Sequence, residues 1–222
     1  MLTPGASQWP LLFDIAIKLI DQAEAAVGHR PMWSFGGGTA LMLQIDHRES
    51  HDIDLFIDDP QILPFLNPVT QAYALDRQPD AYQSDGTRAI KLIFEGMGEI
   101  DFICCADITD DPTASQSIRG QNVALERPSE IIAKKIFYRG SHMQPRDMFD
   151  LAAVVGHYGD DYVVAALRQC GIDRCATALK AAETMKPAFA EAINGQLLFR
   201  DQTRPLVGEA QSVTQRLLRS AL

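Results

Sequence analysis

Apolar residues recur at helical spacing between Leu11 and Ala26, where Leu11, Leu12, Ile15, Ile17, Leu19 and Ile20 form one stripe. That period predicts an amphipathic helix. Pro31 to Phe35 (PMWSF) is a short extended run that ends in Gly36-Gly37-Gly38. Thr39 to Ile45 (TALMLQI) reads as a short helix with Thr39 as its N-cap. His47 to His51 (HRESH) is a polar connection, and from Asp52 to Ile57 the chain alternates acid and apolar (DIDLFI). Such period-two alternation is the mark of a strand with one buried face. Residues 59–85 contain Pro60, Pro64, Pro68 and Pro79 and predict one short helix. Two more strand-like runs, Arg88–Glu95 and Glu99–Cys104, are joined by Gly96-Met97-Gly98, a hairpin signal.

After Arg127-Pro128-Ser129 the pattern turns helical. Ser129 is the expected cap of a helix over Glu130–Arg139, Pro145 opens another that runs to Tyr158, and helical stretches continue to the C-terminus. The layout is thus α+β: an α/β part over residues 1–125 with a short mixed sheet flanked by helices, then a helical region over residues 126–222.

Composition adds a class. The chain has 222 residues, 46% hydrophobic and 22% charged, which is ordinary for a soluble globular protein. Asp14, Lys18 and Asp21 interrupt the first apolar run, so no segment is expected to span a membrane. The N-terminus shows no basic leader ahead of an uncharged apolar stretch, which predicts no secretory signal. Cys104, Cys105, Cys170 and Cys175 have no metal-ligand spacing and read as reduced thiols, so a cytoplasmic setting is expected. The net charge of -9 is unevenly shared: residues 1–118 hold 6 basic and 18 acidic side chains, residues 119–222 hold 14 and 11. An acidic first part suits divalent cations and a mildly basic second part suits a polyanion, while composition alone favours plain solvated surface for both.

Three features of the first part converge on one chemistry. Glycines between a strand and a helix let backbone N–H groups approach a phosphate, and the helix N-terminus favours negative charge. Asp52 and Asp54 stand two apart on a strand, so both carboxylates face one side and would repel without a cation between them. Hard oxygen ligands select magnesium or manganese. Asp101 is an acid inside the apolar run Glu99-Ile-Asp-Phe-Ile103, and a buried carboxylate needs a partner or a metal. It is the natural third ligand if the hairpin lies beside the Asp52 strand. Each acid taken alone is better explained by structure; together with the glycine turn the balance reverses toward a metal site. The five histidines lack zinc spacing, and Cys104-Cys105 reads as core.

The run FGGGTALMLQIDHRESHDIDLF resembles the AbiEii-type toxin nucleotidyltransferases of the DNA polymerase β-like superfamily. There a Gly-Gly or Gly-Ser pair precedes an Asp-x-Asp strand; here Gly37-Gly38 and Asp52-Ile53-Asp54 stand thirteen residues apart. A second block, SEIIAKKIFYRGSHMQPRDMFDL, is similar to the family's lysine-bearing helix followed by Arg-Asp-x-x-Asp-Leu, matched by Lys135, Arg146, Asp147 and Asp150. The resemblance spans residues 33–155 and implies a polymerase β-like core whose active-site cleft the helical region completes. It further implies that Asp52, Asp54 and Asp101 bind Mg2+ or Mn2+, Lys135 contacts the triphosphate, and Asp147 completes the catalytic set. Gly37, Gly38, Thr39, Arg48 and Ser50 are expected at the nucleotide. Asp147 and Asp150 are also explained without catalysis, by a first-turn charge and by an i,i+4 pair with Arg146.

The function implied is transfer of NMP from an NTP to an RNA (tRNA) or protein acceptor, by the toxin of a toxin–antitoxin or phage-defence pair with a cognate antitoxin. The alternatives are nucleotidylation of a small, aminoglycoside-like molecule and an inactive binding protein of the same fold.

Overall fold

The structure is a computed structural model and describes residues 7–222. The expectation about a leader rests partly on residues 1–6, which lie outside the described residues. Two compact units divide the chain. The first contains the residues up to Ala40, Ser50–Ala106 and Ala114–Leu125; the second contains Leu41–Glu49, Asp107–Thr113 and Glu126–Leu222.

In the first unit, helix α1 (Trp9–Val27) buries Leu12, Ile15, Ile17, Leu19 and Ile20 of the expected stripe and adds Phe13, Ala16 and Ala23, whereas Leu11, in its first turn, is exposed. It stops at Gly28, whose left-handed φ of 82° lets its N–H close on the Glu24 carbonyl. Strands β1 (Trp33–Gly36), β2 (Ile53–Ile57), β3 (Ala81–Ser84), β4 (Ala89–Phe94), β5 (Gly98–Cys104), β6 (Thr113–Ile118) and β7 (Gln121–Glu126) form one mixed sheet. Its order is β3-β4-β5-β2-β1-β7-β6. Strand β2 is central, antiparallel to β1 and parallel to β5. Ile53, Leu55 and Ile57 of β2 and Ile100 and Phe102 of β5 are buried, and α1 covers both strands together with the 3-10 turn Pro60–Leu66.

Helix α2 (Gly37–Ile45) starts two residues earlier than expected. Thr39 is therefore not its N-cap: the residue is fully buried, and its hydroxyl donates to the Asp52 carbonyl. Helix α3 (Pro128–Arg139) likewise begins at Pro128, whose fixed φ suits the first helical position, and not behind a Ser129 cap.

The second unit is built on α3, α4 (Pro145–Tyr158), α5 (Asp160–Gln169), α6 (Ile172–Thr184), α7 (Pro187–Asn194) and α8 (Leu206–Ala221). Met148, Phe149, Leu151 and Val154 of α4 are buried where α8 packs on it with Leu217 and Leu218. The segment Leu41–Glu49 is stitched to this unit by backbone bonds from Glu49 to Leu198 (2.8 Å) and from Arg200 to His47 (3.0 Å). Among the described residues no helix is long and apolar enough to cross a membrane.

Candidate active site

Strands β2 and β5 run parallel and in register, which sets Asp54 directly beside Asp101. Alternation sends Ile53, Leu55, Ile57, Ile100 and Phe102 to the buried face, so the two acids share the opposite, half-buried one. Parallel neighbours lie about 4.8 Å apart, close enough for two carboxylates to hold one cation. Asp52 stands one residue ahead of β2, and its Oδ1 accepts a hydrogen bond from the Glu99 N–H at 3.0 Å.

On the other side of β2, Gly36 of β1 is the register partner of Asp54, and Gly37 follows with φ of 69°. A Cβ at Gly37 would fall inside the Asp54 carboxylate. Glycine is thus required at 37 both for the backbone turn and for the approach of Asp54. Gly38 is the second residue of α2, and Ser50 is buried, its carbonyl accepting from the Ser7 hydroxyl at 2.6 Å.

Asp101 also has a neighbour that periodicity did not single out. Lys91 of β4 is its register partner, and the ammonium lies 2.8 Å from Asp101 Oδ2 while also bonding Glu99. Counting outward from the Gly96-Met97-Gly98 turn would have found it, since Phe94 faces Gly98 and Lys91 therefore faces Asp101. Burial pushes the Asp101 carboxyl above its ordinary value, the Lys91 ammonium pulls it back, and the Glu99 and Asp52 charges add to the rise. Hard carboxylate oxygens from two neighbouring strands fit a magnesium-class ion. Each acid nevertheless has its own protein contact: Asp52 the Glu99 amide, Asp54 the Gly37 turn, Asp101 the Lys91 ammonium.

The second block of expected residues forms a separate cluster inside the helical unit. Asp150 is fully buried and accepts from Arg48 Nε (2.7 Å) and Nη2 (3.0 Å), from Lys135 Nζ (2.8 Å), and pairs with His47 Nε2 (2.9 Å). Asp147 accepts from Lys135 Nζ at 2.8 Å and Arg139 Nη2 at 2.8 Å, and its Oδ2 caps the Gln144 N–H. The expected pairing of Asp150 with Arg146 is replaced by Arg48, His47 and Lys135, while Arg146 is exposed. Burial works against the charge on Asp150, yet Arg48 and Lys135 with the His47 bond hold its carboxyl well below the usual range. Asp147 is lowered too, burial again being outweighed by Lys135 and Arg139.

Lys134, one residue away, belongs to another group. Its ammonium lies 2.5 Å from Glu126, 3.3 Å from Asp107 and 3.5 Å from Glu130. Among the described residues these three acids are the ones whose oxygens gather within 4.8 Å of one another. Lys134 supplies one positive charge to the three, and Glu130 also accepts from the Ile108 and Thr109 amides and the Thr109 hydroxyl.

A mixed sheet that carries paired aspartates beside a glycine turn opening a helix is the frame of a nucleotidyltransferase with the DNA polymerase β-like fold. The family model described as nucleotidyl transferase AbiEii toxin, type IV toxin–antitoxin system, matches residues 19–217, and the chain belongs to that family. None of the curated proteins matches it. Among solved structures, MenT4, a nucleotidyltransferase toxin from Mycobacterium tuberculosis, is similar over 94% of this chain and 87% of its own at 15% identity, with a TM-score of 0.50. JHP933 from Helicobacter pylori is similar over 97% of this chain and 96% of its own at 16% identity, with a TM-score of 0.46. The likeness to MenT4 is a likeness of fold.

Proposed function

We propose that the protein transfers a nucleoside monophosphate from an NTP to an RNA acceptor of the tRNA class and releases pyrophosphate, acting in the cytoplasm as the toxin partner of a cognate antitoxin. The observation that carries this reading is the in-register placement of Asp54 beside Asp101, with Gly37 fitted against the Asp54 carboxylate. Asp52, Asp54 and Asp101 would hold magnesium or manganese, which neutralises the triphosphate and orients it for in-line attack. An acceptor hydroxyl forms its bond to the α-phosphorus as the bond to the β-phosphate oxygen breaks. Gly37 and Gly38 present backbone N–H groups at the start of α2, where negative charge is favoured.

Lys135 supplies positive charge to the phosphates, and Asp147 and Asp150 hold its ammonium in place until then. Arg48, expected at the nucleotide, supports Lys135 through their shared partner Asp150. The basic balance of residues 119–222, 14 basic against 11 acidic side chains, favours a polyanionic acceptor over a small molecule.

The test is incubation with each labelled NTP, magnesium and total RNA, beside D52A and D54A. Label is expected on RNA with the wild type and on nothing with either variant. Label on a small metabolite instead would replace the RNA acceptor, and no transfer to any acceptor would overturn the enzymatic reading of the site.

A further inference from the structure

The row Lys91–Asp101–Asp54 crosses three adjacent strands, β4, β5 and β2, on one half-buried face. In it a cation already sits on one of the acids proposed to hold the metal. We propose that Lys91 is an internal counter-ion that occupies Asp101 ahead of the divalent cation, so that metal entry displaces an ammonium from the third carboxylate. The inference rests on the metal site described under Proposed function.

Several observations support it. The Lys91 ammonium bonds both Asp101 and Glu99, so it has a second acid to remain on when Asp101 turns to a metal. Its side chain is 30% exposed, against 16% for Asp101, which leaves the ammonium room to move while the carboxylate stays anchored in the sheet. Glu99 also holds Asp52 through its backbone N–H, so two of the three acids are tied to protein partners, Asp52 by β5 and Asp101 by Lys91 of β4. Asp101 is near enough to feel the charges of Asp52 and Glu99, and without Lys91 that face would carry uncompensated like charges. A divalent ion approaching Asp101 meets the repulsion of the ammonium and must break its hydrogen bond. The free ion is therefore held weakly, and an ion that arrives with a triphosphate, bringing its own negative oxygens, is favoured.

The measurement is direct binding of Mn2+ without nucleotide, followed through the electron paramagnetic resonance signal of free Mn2+, on the wild type, K91M, K91R, D54N, D101N and K91M/D101N. K91M keeps the length of the side chain without its charge, and a thermal midpoint checks that each variant folds. K91M is expected to bind Mn2+ on the order of tenfold more tightly, from loss of a nearby cation. K91R should match the wild type, and the gain should vanish in the D101N background. An unchanged affinity in K91M, with D54N still weakening binding, would overturn the counter-ion role and leave the metal site standing. An equal gain in both backgrounds would reduce Lys91 to a general surface charge and likewise overturn it. A wild type whose Mn2+ binding is indifferent to D54N and D101N would remove the metal site itself.

Discussion

Arg48 closes on Asp150 with two hydrogen bonds, from Nε at 2.7 Å and Nη2 at 3.0 Å, across 102 residues of sequence. Asp150 is fully buried and shares Lys135 with Asp147, so its charge is the counterweight for two cations. Removing one partner of such a group leaves a buried charge without compensation, which costs about 3–5 kcal/mol. D150N keeps the shape and loses the charge, and its unfolding free energy from urea titration is expected to fall by that amount. An unfolding free energy within about 0.5 kcal/mol of the wild type would show that the cluster is not a keystone of the helical unit.

The same carboxylate sets an acid limit on stability. Its folded pKa is depressed: burial opposes the charge, and Arg48, Lys135 and His47 outweigh it. A depressed folded value contributes stability above the unfolded value, near 4, and that contribution is lost as pH falls toward the folded value. Wild-type stability should therefore decline below about pH 4, with Asp147 adding to the decline because its carboxyl is lowered as well. D150N should give a flatter curve there, measured by denaturant unfolding across pH 2–5. Curves of equal slope would contradict the assignment.

Gly37 makes the sharpest single-residue prediction at the paired aspartates. In G37A the new Cβ falls inside the Asp54 carboxylate, and φ of 69° is strained for an L side chain. Transferase activity should drop by at least about a hundredfold, as expected when a ligand is displaced by around 1 Å. The control is G96A, with φ of 75° and open space around a Cβ, which should cost about 1 kcal/mol of stability from backbone strain and leave activity intact. Equal activity in G37A and G96A would argue against Asp54 as a ligand.

How much of this was legible in the chain depends on the range over which each cause acts. The α1 stripe, the DIDLF alternation and the Gly96–Gly98 hairpin are local patterns, and the structure shows the hairpin as read, the stripe without the exposed Leu11, and the strand from Ile53, one residue after Asp52. Strands β6 and β7 were not anticipated: Thr113–Glu126 is largely polar, and much of it is exposed at the edge of the sheet, so it lacks the apolar alternation that marks a strand. His47-Arg48-Glu49 was read as a polar connection, yet His47 is 1% and Arg48 7% exposed. Their burial depends on Asp150 in a distant helix, and no local window contains that compensation. Thr39 and Ser129 were misplaced as caps because Gly37 and Pro128 can each start a helix without a side-chain cap.

Cys170 is a thiol that burial pushes up to about 12, with Cys175 and Glu130 adding to the rise. Its Sγ donates to the Ala133 carbonyl at 3.5 Å. At pH 8 the thiolate fraction is then on the order of one in ten thousand, and the thiolate is the reactive form. Iodoacetamide treatment of the native protein should label the half-buried Cys105 and spare Cys170, as read by peptide mass mapping. Full labelling of both should appear only in denaturant. Comparable native rates would mean that α3, α5 and α6 open locally far more often than their packing suggests.

Lys134 and Lys135 are neighbours in sequence with separate partners, and the two alanine variants should fail in different ways. Lys134 is 5% exposed and neutralises Glu126 and Glu130, both fully buried. K134A strands those carboxylates and should lose about 3–5 kcal/mol of stability, with nucleotide use preserved in whatever fraction remains folded. Lys135 is 10% exposed and lies against Asp147 and Asp150, the acids of the Arg-Asp-x-x-Asp block. K135A removes the cation proposed for the triphosphate, so the KM for NTP should rise by about tenfold or more, the scale of one charge-assisted hydrogen bond. Unfolding midpoints and steady-state kinetics on the same preparations separate the two effects. If K134A raises KM as much as K135A does after correction for the folded fraction, the triphosphate contact cannot be assigned to Lys135.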